Sequence, residues 1–442
     1  MTTPSDPLTT GRIFRTWWPL AASWILMALE GPAISIFIAR LADPTIHLAA
    51  YGSLVFPLAL LIEAPIVMLL AASTALCKDR MAYRKIRRFM HATSAALTGL
   101  HVVVVLSPLY GLLVRGVIGA PAEIIEPGRI GFLIMVPWTW AIAYRRFNQG
   151  VLIRFGHSLS VGIGTGVRLL LDAAVLAVGF ALGSIPGTAV ATAAIIAGVV
   201  GEAIYVGRRV RPVLRDELPD APRSGKPLTY RAFLQFYVPL SLTSLILLGA
   251  RPVLSATISR MPDALDSLAV FPVLTSLTFL FRSTGVAYSE VVIAHLDSTG
   301  SARPLRRFGF GLAAVVTVGL VLISATPLSR FWFGTVTGLS ETLVRLARSG
   351  LWFAVLLPGV STLRSWLQGI VLHSRRTRSV TEATSFYFVL LVAILCIGIE
   401  WSRHSGVYVG LAAMTVGELA GAAWLAWRSR GARRSLQARD AN

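Results

Sequence analysis

Stretches of roughly twenty apolar residues recur from one end of this chain to the other, each long enough to cross a hydrocarbon layer about 30 Å thick. Only 14% of the residues are charged and mean hydropathy is +0.69. Ordinary soluble domains carry about 25% charged residues, so a soluble globular protein is excluded. The pattern predicts an all-α polytopic membrane protein with twelve spans, at 17–39, 49–76, 90–114, 128–151, 160–182, 186–206, 233–257, 268–293, 308–328, 347–371, 383–400 and 406–427. The first of these is not followed by a small-residue cleavage site, so it reads as a retained helix and not a signal peptide.

The chain has 41 Lys+Arg against 21 Asp+Glu, a formal net charge of +20. In a soluble protein that excess would suggest nucleic acid as a partner. Here the basic residues sit in loops, and nucleic acid is not expected. With the N-terminus inside, 28 of the 41 fall on the cytoplasmic side, among them Lys78, Arg80, Arg84, Lys85, Arg87 and Arg88 in one loop and Arg208, Arg209, Arg211, Arg215, Arg223, Lys226 and Arg231 in a central linker. The same side takes Arg12, Arg15, Arg146, Arg154, Arg303, Arg306, Arg307, Arg375, Arg376, Arg378 and the tail arginines. Only eight fall opposite: Arg40, Arg115, Arg129, Arg260, Arg330, Arg345, Arg348 and Arg403. Retention of Lys and Arg on the cytoplasmic side then places both termini inside, as for a multi-pass protein of the cell (inner) membrane. Contact with anionic membrane lipids is a by-product of the same charges. Two cysteines, Cys77 and Cys396, lie in or beside apolar segments and make no disulfide framework.

Sliding the chain against itself exposes a duplication. At an offset of 220, Pro19 falls on Pro239, Pro32 on Pro252, Arg40 on Arg260 and Asp43 on Asp263. At 219, Arg88-Phe89 falls on Arg307-Phe308, Pro108 on Pro327, Arg145 on Arg364 and Gln149-Gly150 on Gln368-Gly369; at 216, Val200-Gly201-Glu202 meets Val416-Gly417-Glu418. Ordered matches with small drift over most of each half mark two copies of a six-helix unit, related by an axis along the membrane normal because the helix number is even. The expected organisation is an N-lobe over 1–207 (helices 1–6), a cytoplasmic linker over 208–230 rich in Pro and charge, a C-lobe over 231–428 (helices 7–12) and a basic tail over 429–442.

Twelve helices in two such lobes resemble the MATE-like transporters of the multidrug, oligosaccharide-lipid and polysaccharide exporter superfamily. More narrowly, ALEGPAISIFIA, AAYGS and FNQGVLIRFGHSLSVG in the first half, with GARPVLSATISR, FPVLTSLTFLFRSTGVAYSEVV and RSWLQGIVLHSRRT in the second, resemble the progressive ankylosis protein family. That resemblance implies export of small organic or phosphate-containing anions. The long acidic tail of the animal members is replaced here by a basic one.

A charge near the bilayer centre costs several kcal/mol, so intramembrane ionisable residues are site candidates. Glu30 precedes Gly31-Pro32 in the first helix, and Arg251 precedes Pro252 in the seventh; Glu63 and Arg282 are equivalent at the 219 offset. Each proline frees a backbone carbonyl, which is tolerable only where protein or water satisfies it. Two readings stand side by side. Glu30 with Arg251 and Glu63 with Arg282 are buried ion pairs that hold the lobes, or the arginines bind an anionic substrate while the carboxylates gate access or carry the coupling ion, protons or sodium. Arg145 and Arg364 either extend that positive path or snorkel to head groups. Arg168 and Asp172, spaced i, i+4, are expected to neutralise each other. Glu202 and Glu418 read as helix-packing hydrogen-bonders.

No nucleotide loop, metal-ligand spacing or nucleophile motif is present, so no cofactor is expected and the chain does not read as an enzyme. The function these features fit is a secondary active transporter exporting small anions by alternating access of two lobes around a central cavity. A lipid-linked saccharide flippase or multidrug exporter of the same superfamily is the alternative.

Overall fold

The computed structural model describes residues 8–220, 227–296, 300–374, 378–401 and 403–441. Arg223 and Lys226 of the expected linker and Arg375 and Arg376 of a later loop lie outside these. Among the described residues there is no strand. Eleven helices among the described residues are long and apolar enough to cross a membrane: Thr10–Ile38, Pro44–Glu63, Arg80–Leu106, Ser158–Leu182, Gly187–Asp216, Tyr230–Ile258, Ala264–His295, Ala302–Ala325, Glu341–His373, Arg378–Trp401 and Gly406–Arg428. The chain is an integral, multi-pass, all-α membrane protein.

The span expected at 128–151 is divided between two helices, Ala122–Ile134 and Trp138–Arg154. Pro137 cannot donate the helical hydrogen bond, which ends the first segment. The second is too polar to stand as a simple lipid-facing helix, since it carries Arg145, Arg146, Asn148 and Gln149. The second half repeats the irregularity at the same place: Glu341–His373 contains a tight turn at Trp352–Ala354 just ahead of Pro358. The duplication reaches other departures from regular helix as well. Wide helical turns occur at Leu112–Ile118 and Phe331–Val336. Asp43 and Asp263 both adopt the left-handed conformation (φ 49° and 54°) directly before the second helix of each half, a conformation aspartate tolerates better than most residues.

By packing, the chain divides into two compact units. One comprises Met1–Ile36 with Arg260–Asn442, the other Phe37–Ser259. Relative to the sequence halves, the first helix of each half is exchanged.

Contacts within each unit give the reason. In the first, Trp17 Nε1 donates to the Thr284 carbonyl at 2.8 Å. A Cβ on Gly31 would stand 2.9 Å from Ser276 Cβ, so only glycine permits this approach. Ile13, Trp17 and Ala21 share a buried core with Tyr288, Val291, Val292 and Leu296. In the second, Tyr237 Oη donates to the Pro65 carbonyl at 2.5 Å and Ser241 Oγ to the same oxygen at 2.8 Å. This carbonyl belongs to the broken turn after Glu63, and the two hydroxyls supply the partners that lipid cannot. Arg251 lies over the Phe56 ring at 6.0 Å. These contacts correspond under the repeat: Trp17 falls on Tyr237 and Gly31 on Arg251 at the 220 offset, Thr284 falls on Pro65 at 219, and Ser276 falls on Pro57, the neighbour of Phe56. The duplication thus preserves one packing rule twice: the first helix of a half packs on the second helix of the other half.

Candidate functional site

Each unit holds a polar cluster inside its helices, built from repeat-equivalent positions. In the Phe37–Ser259 unit, Arg145 and Gln149 are spaced i, i+4 and therefore project from one face of Trp138–Arg154. Both reach Glu202 on Gly187–Asp216, Arg145 Nη1 at 2.5 Å and Gln149 Nε2 at 2.8 Å. Glu202 and Arg145 are only 1% and 5% exposed, and a bidentate-capable guanidinium is the group best suited to such a buried carboxylate. Glu63, also buried, lies within electrostatic reach of Arg145, Arg146 and Arg168. Arg168 Nε stands 3.8 Å from Asp172. Gly198 makes room for this, since Asp172 Oδ1 occupies the space a Cβ there would need. Three guanidiniums thus meet three carboxylates.

In the other unit the same construction carries a different balance. Arg364 Nη1 donates to Glu418 Oε2 at 2.6 Å, as Arg145 does to Glu202. Arg282, where the first half has Glu63, donates from Nη2 to the other oxygen of Glu418 at 3.1 Å. Arg364 also donates to Thr384 Oγ1 at 3.2 Å and lies 6.0 Å from the Tyr387 ring. At the 216 offset Thr384 stands in the place of Arg168 and Phe388 in that of Asp172. Two guanidiniums therefore share one carboxylate. Arg282 is the more open of the two, with a side chain 23% exposed against 14% for Arg364.

The candidates read from the sequence distribute as follows. Arg145 and Glu63 belong to the first cluster, Arg282 and Arg364 to the second. Glu30 is half-buried and Arg251 exposed; they belong to different units, as do Glu63 and Arg282. The ion pair expected between Glu63 and Arg282 is corrected: the carboxylate that meets Arg282 is Glu418. Arg146, counted among the loop charges, instead lies in the Trp138–Arg154 helix beside Glu63 and Arg145, its Nε buried without a hydrogen-bond partner among the described residues. Glu202, Glu418 and Gln149 are more central than their sequence context indicates. The signal that marks them is the repeat, because Arg145 with Glu202 and Arg364 with Glu418 recur as a pair of pairs.

No family model matches the chain, and a search of curated proteins finds no match. Solved structures do. An inward-facing conformation of a multidrug resistance MATE family transporter of the MOP superfamily superposes with a TM-score of 0.72 at 17% identity, over 93% of this chain and 95% of that one. A MOP superfamily transporter from Pyrococcus furiosus, described as having a binding pocket of reverse polarity that suggests a different function, gives 0.62 at 17% identity over 98% and 97%. An outward-facing multidrug resistance MATE transporter gives 0.59 at 17% identity over 98% of each chain. The chain therefore has the fold of the MATE transporters of the MOP superfamily.

Proposed function

We propose that this protein is a secondary active transporter that exports small anions, organic acids or phosphate- and pyrophosphate-type compounds, by alternating access. The observation that carries the reading is the Arg282–Glu418–Arg364 cluster, in which two guanidiniums within membrane-crossing helices share a single carboxylate. An arginine at such depth costs about 2.5–3.5 kcal/mol on insertion scales unless a negative group meets it, and an anionic substrate supplies that group during transport. Arg251 is the principal substrate ligand in this proposal and Arg282 the second, with Arg364 and Arg145 extending the positive path. Glu30 and Glu63 act as coupling or gating groups, taking up protons or sodium ions. The relative of the same fold whose pocket polarity is described as reversed supports a charge preference unlike that of the multidrug members. Solved structures of the fold in inward- and outward-facing conformations support alternating access. The resemblance of several strings to the progressive ankylosis family agrees with the anion reading. Both termini are placed on the cytoplasmic side, on the strength of the loop charges.

A multidrug exporter is the second reading, favoured by the description of two of the similar structures as multidrug resistance transporters. Purified protein in proteoliposomes, loaded in turn with labelled phosphate, pyrophosphate, citrate and a cationic dye, separates the two. Saturable movement of an anion without ATP, reduced at least tenfold by Arg251→Ala and by Arg282→Ala, is expected. Unchanged anion flux in correctly inserted variants overturns the roles of the arginines, and movement of the dye alone overturns the anion reading.

A further inference from the structure

Within the unit that contains the C-terminal half, a cavity of about 270 Å³ lies under the short helix Arg430–Ala441. Its wall includes Arg303 and Arg306 from the start of Ala302–Ala325, Arg433 and Asp440 from the short helix, and the apolar side chains of Trp366 and Leu436. The short helix is fastened over the cavity at its far end. Asp440 accepts hydrogen bonds from the backbone amides of Gly300 at 3.0 Å and Ala302 at 2.8 Å. Arg439 donates to Asp440 at 2.9 Å and to the Leu296 carbonyl at 2.7 Å.

The charge of Asp440 is thus already engaged, which leaves three guanidiniums around a cavity whose described lining holds no other carboxylate. Arg433 donates from Nη2 to the Ala426 carbonyl at 2.7 Å, while its Nε is buried without a hydrogen-bond partner among the described residues. Burial, and then the neighbouring Arg430 and Arg306, push the Arg433 guanidinium below its ordinary pKa. Like charges held this close in a partly desolvated place repel one another, and an anion among them relieves that repulsion.

The depth of the cavity says which anion. Its basic wall is the first turn of a membrane-crossing helix, the level at which lipid head groups lie. Its floor, Trp366, meets Phe310 edge-on at 5.8 Å, and Phe310 is 51% exposed on the apolar flank of the same helix. A charged pocket therefore runs onto an apolar strip, the shape of an anionic head group with an acyl chain attached. We propose that this cavity binds an anionic phospholipid, its phosphate held by Arg303, Arg306 and Arg433 and its chain laid along Trp366 and Phe310. The site is separate from the polar cluster around Glu418 and does not depend on what the protein transports.

The test is calorimetric titration of the purified full chain in neutral detergent with dioctanoyl phosphatidylglycerol, dioctanoyl phosphatidylcholine and inorganic phosphate. Saturable binding of phosphatidylglycerol, at least tenfold tighter than either of the others, is expected. Each basic group near a membrane surface contributes about fivefold in affinity. The triple variant Arg303→Gln, Arg306→Gln, Arg433→Gln then weakens binding on the order of a hundredfold. Arg303→Gln alone, a change at an exposed side chain that leaves the packing intact, weakens it about fivefold. Arg84→Gln, Arg87→Gln, Arg88→Gln in the other unit removes as much charge and leaves binding unchanged. Equal affinity for phosphatidylcholine, equal affinity for inorganic phosphate, or undiminished binding by the Arg303 and triple variants overturns the proposal.

Discussion

Replacing Glu418 by glutamine tests the second cluster with the smallest change of shape. The amide keeps one oxygen that accepts a hydrogen bond, but it removes the carboxylate that Arg282 and Arg364 share. Breaking a buried ion pair from one side costs about 3–5 kcal/mol, because the partner's charge stays behind. Glu418 is 4% exposed, whereas Arg282 keeps some access to solvent, so the lower end of that range, about 3 kcal/mol, applies. For a unit of this size each kcal/mol moves the melting temperature by about 2–4 °C, which places the Glu418→Gln protein roughly 6–12 °C below the parent. Thermal unfolding in detergent, followed by size-exclusion recovery, reads the shift. Glu202→Gln, which deprives Arg145 and Gln149 of their acceptor, is the companion and loses a similar amount. The two part when an anion is added. If the freed guanidiniums of the second cluster take up the transported anion, a concentration of about 100 times its Kd returns roughly 2.7 kcal/mol to Glu418→Gln. Glu202→Gln gains less, since Glu63 and Asp172 still offset its arginines. A Glu418→Gln protein melting within 1 °C of the parent would refute the claim that this carboxylate neutralises the two arginines. A full loss of stability with no recovery from any anion would refute their role in binding one.

Gly31→Val places two methyl groups where Ser276 stands and destabilises the protein by about 1–3 kcal/mol, seen as a lower melting temperature; an unchanged melt would contradict the close packing of the first helix on Ala264–His295. Cysteine at Ser184 and cysteine at Arg84 are expected to react with an impermeant thiol reagent from opposite sides of the membrane, and labelling of both from one side overturns the charge-based topology. Asp440→Asn releases the Arg430–Ala441 helix, read as faster tryptic cleavage after Arg433 and Arg434, and equal cleavage rates contradict the fastening. Burial raises the Asp440 carboxyl, but the Ala302 amide, Arg439 and the Gly300 amide outweigh it and hold it below its ordinary value. A depressed carboxylate pKa contributes stability above the unfolded value and loses it as pH falls, so docking of the native helix is constant from about pH 5 to 8 and weakens only on acidification below about pH 4.

Much of this architecture is legible along the chain because lipid imposes a simple rule. A crossing segment must be apolar and must satisfy its own backbone, so among the described residues eleven helices appear where hydropathy places spans, and the twelfth place is taken by the pair Ala122–Ile134 and Trp138–Arg154. Arg145, Arg282, Arg364 and Glu63 stand out for the same reason, since charge inside an apolar run is conspicuous, whereas Glu202 and Glu418 are marked by recurring in the repeat. The duplication is legible as well, down to Asp43 and Asp263, because both copies retain the residues that turn the chain. Partners are another matter. Within lipid no hydrophobic force favours one neighbouring helix over another, and the choice rests on close packing and on polar contacts that exist only once helices are placed. That the helix bearing Trp17 and Gly31 packs on the second half and the helix bearing Tyr237 and Arg251 on the first is decided by fits such as Gly31 against Ser276, which no periodicity encodes. The identity of the carboxylate that meets Arg282 follows from that placement too: offset arithmetic pairs Arg282 with Glu63 as equivalents, but equivalence under a repeat is a relation between positions, and the hydrogen bond to Glu418 is a relation in space.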